Sequence, residues 1–84
     1  MRYLLVSYIR KPDGQYDEII SVSTKIKKND WVDQRVILDY KEQKVLKAAV
    51  SGQVAVKDWD QVSSYYEKNY PEVIKRLKEE CEAS

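Results

Sequence analysis

The stretch YLLVSYIRKPDGQYDEIISVSTKI, residues 3–26, decides the fold. Two runs rich in β-branched and aromatic residues, YLLVSYI and YDEIISVSTKI, flank KPDG, where Pro12 suits the second turn position and Gly14 the left-handed one. A type I turn with a glycine bulge makes Lys11 and Gln15 the closing pair, which sets Val6 opposite Ile20 and Leu4 opposite Val22 on one face. A tighter Asp13-Gly14 turn would instead pair Val6 with Ser21 and Leu4 with Ser23. That register scatters the apolar residues, because a slip of one residue moves every side chain to the other face. The first register is therefore expected.

Downstream, QRVILDY and KVLKAAV read as a second hairpin over residues 34–50, with Leu38 facing Leu46 and Val36 facing Ala48 around the polar KEQ connection. This turn lacks glycine. SGQ then ends the sheet, and VAVK leads to Asp58, an N-cap with Gln61 three residues on in a capping-box arrangement. Over residues 58–82 the apolar positions Trp59, Val62, Tyr66, Tyr70, Val73, Leu77 and Cys81 step by three or four, one stripe on a helical surface. Pro71 forfeits a backbone hydrogen bond and disfavours helical angles at Tyr70, so a kink or break is expected at 69–71, with Pro71 opening a second segment. Glu79, Glu80 and Glu82 sit where the helix dipole disfavours anions. The fold class is α+β: a mainly antiparallel four-stranded sheet of two hairpins, with the kinked or broken C-terminal helical segment packed on one face. Strand order stays open at this point.

Composition narrows the function. The 84 residues suit a single domain, 1–84, burying roughly 60% of its unfolded surface. Histidine is absent and Cys81 is the only cysteine, so no zinc site, Ser-His or Cys-His nucleophile and no intramolecular disulfide can be assembled. The 14 Asp and Glu residues show no spacing that singles out an acid/base or metal-binding pair. No catalytic, cofactor or metal residue is assigned, and a non-enzymatic protein is expected. The apolar runs are far too short for a membrane span, MRYLLVSY lacks the features of a secretory signal, and a cytoplasmic setting follows as the default.

Two surfaces invite a partner. If Leu4, Val6, Ile20, Val22, Val36 and Leu38 face the helices, then Tyr3, Leu5, Ile9, Ile19 and Ile37 point the other way, more apolar surface than a plain solvent face carries. A protein partner or a second copy would bury it, with contacts from Tyr3, Leu5, Ile9, Ile19 and the tip residues Arg10 and Lys11. The competing explanation is that the sheet curls, or that the KKNDW segment folds over this face. The other surface is basic: residues 1–57 carry 11 Lys or Arg against 7 Asp or Glu, while 58–84 carry 4 against 7, so a net of +4 faces a net of −3. The alternative reading is weak, sequence-independent nucleic-acid binding by Tyr8, Arg10, Lys11, Tyr16, Lys25, Lys27 and Lys28, with the tyrosines stacking on bases. Against it, lysines at strand ends commonly serve to solvate a connection and discourage edge pairing. Trp31, behind the capping candidates Asn29 and Asp30, reads as a core lid, and Tyr65 lies off the helical stripe as the more exposed ring.

Over residues 1 to about 80, with MRYLLVSYIRKPDGQYDE and VILDYKEQKVLKA as its most telling segments, the chain resembles small accessory proteins of large tailed bacteriophages. The resemblance implies a non-enzymatic protein in the infected bacterial cytoplasm that binds a host protein or nucleic acid. It carries over no site residue.

Overall fold

The computed structural model describes residues 1–48 and 58–83. The chain runs β1 (Tyr3–Arg10), β2 (Tyr16–Ser23), α1 (Asp30–Asp33), β3 (Val36–Asp39), β4 (Lys44–Ala48), α2 (Trp59–Asn69) and α3 (Pro71–Ala83). The expected end of the sheet at 51–53 and the lead-in at 54–57, with residues 49 and 50 of the second hairpin, lie outside the described residues.

The first hairpin adopts the expected register. Lys11 N donates to Gln15 O at 2.7 Å, Gly14 N donates to Lys11 O at 3.0 Å, and Gly14 takes φ +87°, the bulge position that a side chain would strain. Val6 therefore faces Ile20 and Leu4 faces Val22. Residues 24–35 then carry the chain across the sheet, so β3 pairs antiparallel with the free side of β1 and the order is β2-β1-β3-β4. β1 and β3 are the two interior strands, which is why β3 is buried along its whole length on both faces.

The second hairpin departs from expectation. Val36 does face Ala48, but Leu38 faces Val45 rather than Leu46, because a bulge between these pairs shifts the register. Its four-residue connection, 40–43, ends with Gln43 at φ +54°, and the Asp39–Lys44 pair closes it.

Pro71 breaks the helix completely. Tyr70 leaves helical angles at φ −135°, ψ 59°, and Pro71 opens α3, where its missing N–H costs nothing. Asp58 caps α2 by accepting from Asp60 N at 3.2 Å; the reciprocal bond from Gln61 that a capping box requires is not among the hydrogen bonds of the described residues. Beyond the break the expected stripe is corrected at one position: Ile74, four residues after Tyr70, is 2% exposed and takes the place expected of Val73, which is 37% exposed, while Leu77 is buried as expected. Leu4, Val6, Val36, Leu38, Tyr40, Tyr66, Ile74 and Leu77 form the core between one sheet face and the helices. Each fully buried aliphatic side chain here contributes about 1.5–3 kcal/mol. Tyr40 meets Trp59 edge to face, ring centroids 4.8 Å apart, fixing the end of β3 to the start of α2.

Candidate interaction surface

The residues expected on the outer sheet face divide into two groups. Near the root, Leu5 is 5% and Ile37 0% exposed, so Leu5 is withdrawn as a contact residue and the open apolar patch is smaller than expected. One contact on this side of the sheet comes from the 24–35 connection. Lys47 stands opposite Ile37 and so shares its face, and its Nζ donates to Trp31 O at 2.6 Å, which brings α1 alongside this side of the sheet. Trp31 itself is half exposed, so it is not the core lid expected. Tyr3 is half-buried, with the Arg2 guanidinium 5.1 Å above its ring.

Towards the tip the face is open. Ile9 and Ile19, diagonal neighbours across the β1–β2 ladder, are 57% and 41% exposed. Lys11, on the same face, pairs with Asp17 at 3.0 Å. Arg10 stands opposite Tyr16, both of them exposed. The hairpin tip thus joins two bare isoleucines, an aromatic ring and two cations.

The basic residues of the alternative reading do not converge. Lys25, Lys27 and Lys28 are exposed at the far end of β2, separated from Arg10 by its eight residues, roughly 25 Å of strand. The backbone around them is tied locally: Ser23 Oγ donates to Lys25 O at 2.7 Å, and Lys27 N donates to the Asp30 carboxylate at 2.8 Å. Tyr8 is corrected, since it is half-buried and packs against the core cluster and is not the open stacking ring expected.

Tyr8 belongs to a polar cluster absent from the sequence reading. The register sets Tyr8 opposite Glu18 on the helix-facing side, and α2 answers the carboxylate: Tyr65 and Tyr70 both donate their hydroxyls to Glu18, the latter at 3.1 Å. The bond to Glu18, with partial burial, holds the Tyr65 hydroxyl up to about 12, and burial above all raises Tyr8, Tyr66 and Tyr70. Such tyrosines stay protonated donors at neutral pH, so the cluster clasps sheet to helix. Its signal was present in the register, because a carboxylate on the core side demands donors.

A second missed node is Asp39. It is 3% exposed and takes the Arg2 guanidinium bidentately, at 2.8 and 2.7 Å, while its Oδ1 also accepts from Lys41 N and Glu42 N. Burial alone would raise this carboxyl, but the bonds from Arg2 and the turn outweigh it and hold it below the ordinary range.

Among the described residues, open clefts flank the helices. One, about 320 Å³, runs between β2 and α3 and is bordered by Ile20, Val22, Glu72, Val73, Arg76 and Glu80. Another, about 400 Å³, opens beside the β3–β4 turn, where the Tyr40 hydroxyl is buried without a partner among the described residues. Among the described residues no group of acidic or cysteine side chains could hold a metal ion, and no helix is long and apolar enough to cross a membrane. Comparison with family models, curated proteins and solved structures finds no match.

Proposed function

We propose that this protein is a small non-enzymatic interaction module that binds a protein through the open end of the β1–β2 hairpin. The observation carrying the reading is the division of the outer face: Leu5 and Ile37 are closed over, while Ile9 and Ile19 stay bare beside the Lys11–Asp17 pair. Isolated exposed apolar residues need no explanation, but two adjacent ones on a rigid ladder, rimmed by charge, fit the usual anatomy of a binding patch. The phage-like character of the sequence makes a bacterial host protein or a second copy the natural partner, in the infected cell's cytoplasm. The test compares the wild-type chain with an Ile9→Ser, Ile19→Ser double variant, by pull-down from bacterial lysate and by sedimentation, after circular dichroism confirms that both are folded. The reading expects a discrete partner, host or self, that the double variant loses. A strict monomer that captures nothing above background overturns it.

The nucleic-acid reading keeps one supporting observation, the exposed Tyr16 ring opposite Arg10. With Tyr8 half-buried and the three lysines remote, the tip offers two cations. Single-strand binding there should weaken with log salt at a slope of only about −1.4, at roughly −0.7 per phosphate. A slope near zero, or no anisotropy change at low salt, removes this reading.

A further inference from the structure

The geometry points to a second copy of this chain as the partner: we propose that two molecules join β2 to β2, antiparallel, about a twofold axis at Ile19. This rests on the hairpin being an interaction surface and names what it binds.

β2 is an outer strand of the sheet. Because Lys11 and Gln15 form a bonded pair, alternation along the ladder turns the amides and carbonyls of Asp17, Ile19 and Ser21 towards β1. Those of Tyr16, Glu18, Ile20 and Val22 therefore point outward, where no strand among the described residues receives them. Edge strands are normally blunted by lysine, proline, a bulge or short length. β2 has eight regular residues with no lysine, proline or bulge, and Asp17 and Glu18 are its only charges. Of its two charges, Asp17 is paired with Lys11, and the Glu18 carboxylate is turned to the helix side, where the Tyr65 and Tyr70 hydroxyls hydrogen-bond it.

One register satisfies every outward group. Setting Ile19 opposite Ile19 of the second copy pairs Tyr16 with Val22, and Glu18 with Ile20, in both directions. All four outward residues then exchange both backbone bonds. The two exposed large apolar residues of β2, Tyr16 and Ile19, both gain apolar partners, an aromatic against a β-branched chain and isoleucine against isoleucine. No like charges face each other directly. Ile9, diagonal to Ile19, extends the seam into a four-isoleucine strip on the outer face. A shift by two residues would put Ile19 opposite Ser21 and leave Tyr16 outside the paired segment. On the inner face the twofold brings the two α3 helices together along the β2 cleft, whose rim alternates Glu72, Arg76 and Glu80, so Arg76 of each copy can meet a glutamate of the other.

The decisive experiment is sedimentation of the wild-type chain up to about 0.5 mM, a concentration that would populate even a weak specific complex. The same runs include Ile19→Lys, Ile19→Glu and their equimolar mixture; position 19 is partly exposed, and circular dichroism checks that each variant is folded. The wild-type mass should climb towards twice the monomer. Each variant should remain monomeric, because like charges face each other at the axis, and the mixture should regain the dimer. Amide exchange supplies an independent signature: protection at Tyr16, Glu18, Ile20 and Val22 should rise with concentration, while Asp17, Ile19 and Ser21 are protected throughout. A wild-type monomer at the highest concentration, a dimer that survives both variants, or a mixture that fails to reassociate each overturns the proposal. A monomer that still captures a host protein, and loses it in the Ile9→Ser, Ile19→Ser variant, overturns the dimer while leaving the interaction module standing.

Discussion

The β1–β2 hairpin turns on a glycine, whereas the β3–β4 hairpin turns on a buried carboxylate whose cation comes from the other end of the sheet's sequence. In the first, Gly14 at φ +87° and the Asp13 carboxylate, which accepts from Gln15 N at 2.9 Å, complete the turn locally. In the second no glycine is present, Gln43 takes the left-handed angle at φ +54°, and Asp39 ties the turn to Arg2, 37 residues away. A local turn fixes its own register; a turn held from a distance forms only as the sheet assembles around it. The contrast also separates the two outer strands, since the glycine turn leaves β2 regular along its length while β4 carries lysines and is interrupted by a bulge.

The sharpest way to break the comparison is Asp39→Ala. It removes a bidentate partner and a turn acceptor from a buried position and should cost about 2–3 kcal/mol, or a fall in Tm of roughly 10 °C or more. Asp39→Asn keeps an acceptor for the turn and loses the charge, so its cost should be about half as large. The pH dependence follows from the sign of the shift. The folded carboxyl lies below its unfolded value of about 3.9, so the unfolded state binds more protons there. The stability it contributes is complete above about pH 4 and is lost as pH falls through the folded value. Acid titration of urea midpoints should show this slope in the wild type and a shallower one in Asp39→Asn. Identical slopes would mean that Arg2 does not stabilise the carboxylate in solution.

What could be read in advance follows the same division. Pro12, Asp13 and Gly14 announce a turn type, and the turn type dictates Val6 against Ile20, five pairs from the closing Lys11–Gln15 pair. Pro71 announces the helix break for an equally local reason, a missing donor. The Leu38 pairing failed because nothing in KEQ specifies a turn and the compensating bulge at residue 46 has no signature of its own. Ile74 was missed because Val73 and Ile74, three and four residues after Tyr70, both fit the spacing of the stripe and the pattern alone does not choose between them. The nodes that hold the polar side chains were less legible still: Glu18 finds Tyr65 and Tyr70 at separations of 47 and 52 residues, and only the finished fold brings them together. Of the expected contact surface, Ile9, Ile19, Arg10 and Lys11 stay open, and Leu5 is buried on a face whose closure no sequence pattern specified.

Gly14→Ala tests the local hairpin with a smaller expected effect. A Cβ built at Gly14 meets nothing within 4 Å, so no clash contributes and the cost is that of the left-handed backbone alone, about 1 kcal/mol. Chemical denaturation measures it. A loss several times larger would mean that the turn is the nucleus of more than its own hairpin.

Gln43→Gly sharpens the comparison from the other side and should be the smallest effect, with the opposite sign. Gln43 is exposed and takes φ +54°, so glutamine bears the crowding of Cβ against the following carbonyl at that angle, and glycine does not. Against this gain stands the greater freedom that glycine gives the unfolded chain, which offsets about 0.4–1 kcal/mol. The balance should stabilise the protein by about 0.5 kcal/mol, read as a rise in the urea midpoint at unchanged m-value. In an Asp39→Ala background the same substitution should gain no more than it does alone, because it relieves backbone strain and cannot replace the Arg2 anchor. If Gln43→Gly instead recovers most of the Asp39→Ala loss, the second hairpin is governed by its turn geometry after all, and the distinction between a locally and a remotely held turn fails.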